Sequence, residues 1–349
     1  MYIVKQPIKV ALIGYGFGGS IFHAPIIQAV QGLELSVVYT SNEAKVKEAW
    51  PNVKVTQRLD DIWDDPEIGM VAISTPNSTH KELIRIAIEA GKHVVVDKPF
   101  VIHSTDGEQL IRLAEEKGVL LSVYHNRRWD SDFLTVKKLI EDGKLGEVLS
   151  YEARYDRYRP TAKDRWKEKS ELGGGTLYDL GSHLIDQALT LFGRPETVTA
   201  DCGVQREGSE GTDYFLLSLG YGRNRVILQG GSFVRKKGPK YVVHGRLASF
   251  IKSGEDTQER TLIKGGSPND AGYGEEDPAH YGSLHFEEED SGEKVLAENG
   301  RYHRFYEMMR DAIIGGGPVP VRPEEALDVI RVIELAELSH KEGRTIKFA

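Results

Sequence analysis

The sequence holds a single cysteine, Cys202, among 349 residues. One thiol excludes an intrachain disulfide and any zinc site built on several cysteines. Basic charge is also short: 45 Lys and Arg against 53 Asp and Glu give a net charge of −8. Its cations are scattered, so the basic footprint of a general nucleic-acid binder is missing. No apolar run reaches the roughly 18 residues that would cross a bilayer. The first ten residues have no long apolar core of the signal-peptide kind. These absences predict a cytoplasmic protein whose partner is neither nucleic acid nor membrane. What is present is ordinary for a globular chain, 40% apolar and 28% charged residues. At about 150 residues per domain the length suggests two domains.

The first third alternates short β-branched runs with helical patterns. Runs at 8–13, 35–40, 70–74, 93–97 and 120–124 read as strands buried on both faces, as in a parallel sheet. Between them, 79–90 places Leu83, Ile84, Ala87 and Ile88 on one helical face, with Gly91 as the stop. Thr105 and Glu108 have capping-box spacing, and Gly118 closes that helix. The pattern changes near 125–130, which predicts a dinucleotide-type domain at 1–126 and a second domain at 127–349. In the second, a helix is expected at 133–142 and a strand at 148–155. A charged loop at 157–171 and a helix at 179–192 follow. Long strands with Gly-rich turns then run over 197–243, a surface loop over 264–282, and two helices over 302–314 and 323–342. Strands joined by short turns imply antiparallel pairing.

Gly14, Gly16 and Gly19 form G-x-G-x-x-G directly after a predicted strand and at the start of a helical pattern, 21–30. The first Gly makes the turn, the second admits a pyrophosphate, and the third lets helix and strand pack closely. Phe17 and Gly18 lie in the same turn. After the second strand come Tyr39, Thr40, Ser41 and Asn42, with no acid at the strand tip to bind a ribose 2′-hydroxyl. Neutral Ser41 and Asn42 tolerate a 2′-phosphate, so the cofactor is read as NADP, with NAD the alternative. Thr75, Pro76 and Asn77 follow the fourth strand, where loops line a ligand crevice. They also suit turn chemistry with Ser78 or Thr79 as a helix cap.

Candidate reactive groups are fewer. Asp97-Lys98-Pro99 ends the fifth strand, which aims Lys98 at a crevice or makes it part of a surface turn. Asp179 and His183 are spaced i, i+4 on one helical face, where an imidazole accepts a hydroxyl proton and a carboxylate orients it. The plainer alternatives are an N-cap and an ordinary histidine. A metal held by Asp179, His183 and Asp186 is the weaker reading, and none is expected. Arg127 and Arg128 suit an anionic or polyhydroxyl ligand, or a junction salt bridge. Trp166 suits a wall for a sugar ring, or a packing anchor.

In order, G-x-G-x-x-G, D-K-P and G-G-G-x-x-x-D-x-x-x-H resemble the Gfo/Idh/MocA family. The stretches 121–130 and 175–183 look most like its NADP-dependent scyllo-inositol dehydrogenases. The resemblance implies a Rossmann domain followed by an α/β domain with a large, mostly antiparallel sheet. Homodimers or homotetramers would form through that sheet. It implies catalytic Lys98, Asp179 and His183, with His80, Asn126 and Lys98 completing the cofactor set. Lys98, Arg128, Tyr155, Trp166, Asp179 and His183 form the substrate set. The implied reaction moves a hydride between a ring secondary alcohol of a cyclic polyol and NADP(H). Alternatives are a dehydrogenase of an aldose or sugar derivative, a lyase or glycosidase using NAD only transiently, or a nicotinamide-binding sensor without turnover. The subgroup often carries Thr-Ser-Arg after its second strand, where this chain has Thr40-Ser41-Asn42. The family motif often has Glu where Asp97 stands.

Overall fold

A computed structural model describes residues 6–162, 173–287 and 291–348. Six strands form a parallel sheet: β1 (Ile8–Ile13), β2 (Leu33–Tyr39), β3 (Lys54–Thr56), β4 (Ile68–Ile73), β5 (His93–Asp97) and β6 (Leu121–Tyr124). Their order is β3-β2-β1-β4-β5-β6. Helices α1 (Ala24–Ala29), α2 (Glu43–Ala49), α3 (Asp60–Trp63), α4 (His80–Glu89) and α5 (Ser104–Lys117) connect them. The apolar stretches Val10–Ile13, Met70–Ile73 and Val94–Val96 of β1, β4 and β5 follow from burial on both faces. Strand order reverses between β1 and β4, the switch point at whose carboxyl ends open α/β sheets bind their ligands.

Local signals decide the helix ends. Gly91 and Gly118 follow α4 and α5 with φ of +70° and +66°, the left-handed closure that glycine adopts without strain. The capping box does not form: α5 begins at Ser104 with His103 as its cap residue and no capping side-chain hydrogen bond, which puts Thr105 inside the first turn. Ser78 and Thr79 do not cap either. Residues Asn77–Thr79 make a 3₁₀ turn, and the Thr79 hydroxyl donates to the Pro76 carbonyl at 2.8 Å. The helix expected from residue 21 starts earlier, as a π turn over Gly19–His23 ahead of α1. β3 was not expected, because three residues with one fully buried side chain leave too little pattern to read.

Beyond residue 126 the chain forms α6 (Ser131–Glu141), β7 (Val148–Asp156), a π turn (Leu177–Gly181), α7 (Ser182–Phe192), β8 (Thr197–Gly203), β9 (Tyr214–Tyr221) and β10 (Asn224–Gly231). Then come β11 (Tyr241–Gly245), β12 (Ser249–Lys252), α8 (Gln258–Ile263), β13 (Ser283–His285), β14 (Glu293–Lys294), α9 (His303–Gly315), α10 (Pro323–Glu342) and β15 (Ile346–Lys347). A nine-stranded sheet has the order β14-β13-β12-β11-β7-β10-β9-β8-β15. β7 and β10 pair in parallel, while the other neighbours are antiparallel. The parallel pair reflects the long connection through α7, whereas β9 and β10 join through a tight turn at Gly222, φ +55°. Together the two sheets make an α/β protein with the layout expected.

The chain divides into two compact units. The first holds the chain up to Asn126, Gln258–Tyr273 and Arg301–Leu327; the second holds Arg127–Thr257, Gly274–Gly300 and the chain from Asp328 onward. Helices α8 and α9, far along the chain, belong to the first unit. Aromatic packing explains the return: Phe305 and Tyr306 of α9 lie 4.7 and 5.6 Å, ring to ring, from Tyr124 of β6. Arg310 Nη1 also donates to the Gln31 carbonyl at 2.6 Å, and Ser122 Oγ to that of Val321 at 2.8 Å. No described helix is long and apolar enough to cross a membrane.

Candidate active site

In the first unit the glycine loop sits at the end of β1. Gly14 has φ +97°, and a Cβ there would strike the carbonyl oxygen of Ser74. A Cβ on Gly19 would strike the carbonyl oxygen of Gly14, so that glycine brings helix and strand together. Gly16 differs, since a Cβ there meets nothing within 4 Å. The loop thus shows an open backbone face where a dinucleotide diphosphate would lie, and Phe17 beside it is 56% exposed. These residues fit a dinucleotide. Ser41 and Asn42 are exposed beyond β2. Asn42 Oδ1 accepts from the Lys45 amide at 3.1 Å and opens α2. Asn77 and Asn126 are buried, and Thr75 bonds Thr79 hydroxyl to hydroxyl at 2.7 Å.

Lys98 follows β5, is half-buried, and precedes a cis peptide bond to Pro99. Its neighbour Asp97 organises the strand tip. Asp97 Oδ1 accepts from the Lys98 amide at 2.9 Å, and Oδ2 accepts from Ser74 Oγ at 3.1 Å. His23 Nε2 lies 3.7 Å from the same Oδ2. His23 is fully buried in the π turn, with Nδ1 2.7 Å from the Tyr306 hydroxyl and its ring 4.4 Å from that of Tyr124. Burial alone would push the Asp97 carboxyl up, but the neighbouring His23 imidazole and the charges of Lys98 and His80 hold it well below the usual carboxylate range. The π turn and the D-K-P tip are therefore one structure. His23 carries no motif in the sequence reading, and its only signal is a histidine closing the first turn after Gly19.

His80 lies between the loops after β4 and β5. Its imidazole is fully buried, with Nδ1 2.9 Å from the Pro99 carbonyl and Nε2 3.1 Å from that of Thr75. Burial lowers its pKa, against the pull of Asp97 and the carbonyls. A neutral imidazole donates its single N–H to one of these two carbonyls.

In the second unit Asp179 lies inside the π turn that leads into α7, and so is no N-cap. Its amide donates to the Gly175 carbonyl at 3.0 Å, and its carboxylate lies 3.7 Å from Arg157 Nη1. Gly175 is required by the backbone: it has φ +91°, and a Cβ would sit 2.9 Å from the Thr212 nitrogen. His183 is 5% exposed at the start of α7, its ring 6.4 Å from that of Tyr155. Tyr155 lies between two cations, with Arg127 at 5.2 Å and Lys240 at 5.0 Å from its ring centroid. Burial raises the Tyr155 pKa and outweighs both cations. Arg128 takes the ion-pair role: its guanidinium grips Asp186 with Nε–Oδ2 of 2.9 Å and Nη2–Oδ1 of 2.6 Å. Trp166 lies outside the described residues.

Lys98 belongs to the first unit, and Asp179 and His183 to the second. The sequence reading passed over the buried partners of Tyr155. Lys240 Nζ is 2.7 Å from Asp132 Oδ2 and 3.4 Å from Asp130 Oδ2. Among the described residues no group of three or more His, Cys, Asp or Glu gathers to hold a metal.

The chain is similar to known proteins along most of its length. Residues 8–125 match the model of the oxidoreductase family NAD-binding Rossmann fold, and 137–348 match that of its C-terminal alpha/beta domain. A Bacillus subtilis protein named scyllo-inositol 2-dehydrogenase (NADP(+)) IolW is 47% identical over 97% of this chain and 95% of its own. The uncharacterised oxidoreductase YdgJ of Escherichia coli is 44% identical over 99% of this chain and all of its own. The solved structure of the putative oxidoreductase yvaA from Bacillus subtilis superposes with a TM-score of 0.95 at 46% identity, covering 99% of both chains. With both domain models matched and relatives this close, the chain belongs to the Gfo/Idh/MocA family of oxidoreductases and carries its NAD-binding Rossmann domain.

Proposed function

We propose that this oxidoreductase moves a hydride between a ring secondary alcohol of a cyclic polyol of the scyllo-inositol kind and NADP(H). The observation that carries this reading is the 47% identity, over 97% of the chain, to a protein named as an NADP-dependent scyllo-inositol dehydrogenase. The absence of an acid at the tip of β2 favours NADP over NAD. The loop Gly14–Gly19, with Ser41, Asn42, Thr75, Pro76, Asn77 and Asn126, holds the dinucleotide. When bound, its nicotinamide ring supplies the hydride acceptor.

His183 accepts the proton of the reacting hydroxyl through its imidazole. Asp179, whose carboxylate lies 3.7 Å from Arg157 Nη1, offsets the charge that the imidazole gains. Lys98 donates a hydrogen bond to the alcohol oxygen as alkoxide character grows, so its interaction is stronger in the transition state than in the ground state. Tyr155, held by its flanking cations, offers a rigid aromatic wall to a polyol ring. The reading extends to self-association through the outward face of the nine-stranded sheet, which is supported by part-exposed Leu216 and Ile227 on paired strands. Light scattering that returns a monomer mass would remove that extension.

The test is an absorbance screen at about 340 nm, where reduced nicotinamide absorbs. It pairs NADP or NAD with inositol isomers, glucose and related sugars. Turnover of an inositol with NADP supports the reading. Turnover of an aldose alone moves the assignment to a sugar dehydrogenase. Cofactor binding with no turnover on any polyol overturns it.

A further inference from the structure

Lys45 sits in the first turn of α2, and its side chain reaches back over the glycine loop. Nζ is 3.1 Å from Ser20 Oγ and 3.4 Å from the carbonyl of Tyr15, the residue between Gly14 and Gly16. It also stands 5.3 Å from the centre of the Tyr15 ring. Its position is set by the Asn42 cap on the Lys45 amide. All of its partners are neutral: no carboxylate among the described residues lies within ion-pair distance of Lys45. Lys9, Lys81 and Lys237 each hold a carboxylate within 2.7 Å, while Lys47 of the same helix meets only the carbonyls of Pro51 and Val53. An ammonium beside neutral oxygens, at the dinucleotide loop, is a cation whose counter-ion the protein does not supply. The tip of β2 adds the hydroxyl of Ser41 and the amide of Asn42, both exposed. Glu43 is the nearest acid in sequence, and no ion pair ties it to Lys45.

We infer that Lys45 is the cation that receives the 2′-phosphate of the adenosine ribose, with Ser41 and Asn42 as neutral donors. It thereby sets the preference for NADP(H) over NAD(H). The inference rests on the dinucleotide-binding part of the proposed function and not on the substrate. Lys45 supplies charge from α2, at a position where Asn42 has none to give. A lysine is a point charge on a flexible stem, so it reaches a phosphate without the fork geometry that arginine needs.

The test is calorimetric titration of the full chain with 2′,5′-ADP and with 5′-AMP, repeated with NADPH and NADH, for the wild type, Lys45→Met and Lys45→Arg. These titrations need no substrate, so a failed polyol screen leaves them intact. In the wild type, 2′,5′-ADP binds more tightly than 5′-AMP and loses affinity as salt rises. Lys45→Met weakens 2′,5′-ADP and NADPH by at least about tenfold, the scale of one charge-assisted hydrogen bond. It changes 5′-AMP and NADH by less than about twofold. Lys45→Arg keeps most of the preference. Equal weakening of both nucleotide pairs would assign Lys45 to the loop or the diphosphate and overturn the inference. Unchanged NADPH binding would do the same.

Discussion

Replacing Lys240 by methionine tests how the second unit supports its aromatic wall. The ammonium is 3% exposed, and both carboxylates it serves, Asp130 and Asp132, are fully buried. Methionine keeps most of the volume and removes the charge, which leaves Asp132 without its cation in a dry setting. Stranding one member of a buried pair costs about 3–5 kcal/mol. For a unit of this size each kcal/mol lowers the melting temperature by about 2–4 °C, so a fall on the order of 10 °C is expected. Burial alone would lower the Lys240 pKa, but Asp132, Tyr155, Tyr241 and Asp130 outweigh it and raise it well above the usual value. The stabilisation is therefore complete below about pH 10.4, the unfolded lysine value, and is lost as pH rises through the folded one. The gap between wild type and variant should stay constant through neutral pH and close only in strong alkali. Asp132→Asn in the Lys240→Met background should recover part of the loss, with a coupling of at least about 1 kcal/mol. Calorimetric melting at several pH values reads all of this. A Lys240→Met chain that melts within about 1 °C of wild type at pH 7 would refute the reasoning, because the network would then carry no net energy.

Three further outcomes are expected. Gly18→Ala puts a Cβ 2.5 Å from Ser74 Oγ and 2.8 Å from Asp97 Oδ2; overpacking of this kind costs about 1–3 kcal/mol and should weaken NADPH binding by fluorescence titration. Ser74→Ala in the same chain should restore part of both, and no recovery would place the clash elsewhere. His183→Ala should lower kcat by at least about tenfold with NADPH affinity nearly intact; unchanged turnover on the polyol found in the screen would remove His183 from the proton transfer. Burial, with Glu337 and Asp201 nearby, pushes the Cys202 thiol up to about 12. Its alkylation by iodoacetamide at pH 8, followed by mass spectrometry, should be at least about a hundredfold slower than that of a free thiol, since only the thiolate reacts.

The sequence by itself determined the nucleotide-binding half almost completely. Apolar runs such as Val10–Ile13 of β1, Met70–Ile73 of β4 and Val94–Val96 of β5 were legible because both of their faces are covered, and burial of that kind writes itself into composition. Glycines at 14 and 19 were legible because a Cβ at either would strike the backbone, and Gly16 because a diphosphate needs an open backbone face beside it. Lys98, Asp179 and His183 were legible as motif positions, and Gly91 and Gly118 as helix stops. Tertiary structure alone decided the rest. The return of α9 to the first unit depends on Tyr124 meeting Phe305 and Tyr306, 181 and 182 residues later, a contact that no local periodicity encodes. The same holds for His23 against Asp97, for Arg128 against Asp186, and for Lys240 beneath Tyr155. Each joins polar groups far apart in the chain, and a buried charge reveals its partner only when the fold brings the two together and excludes water. His80 is a further case: nothing in the local pattern places its buried ring nitrogens 2.9 Å from the Pro99 carbonyl and 3.1 Å from that of Thr75, which only the packed loops decide.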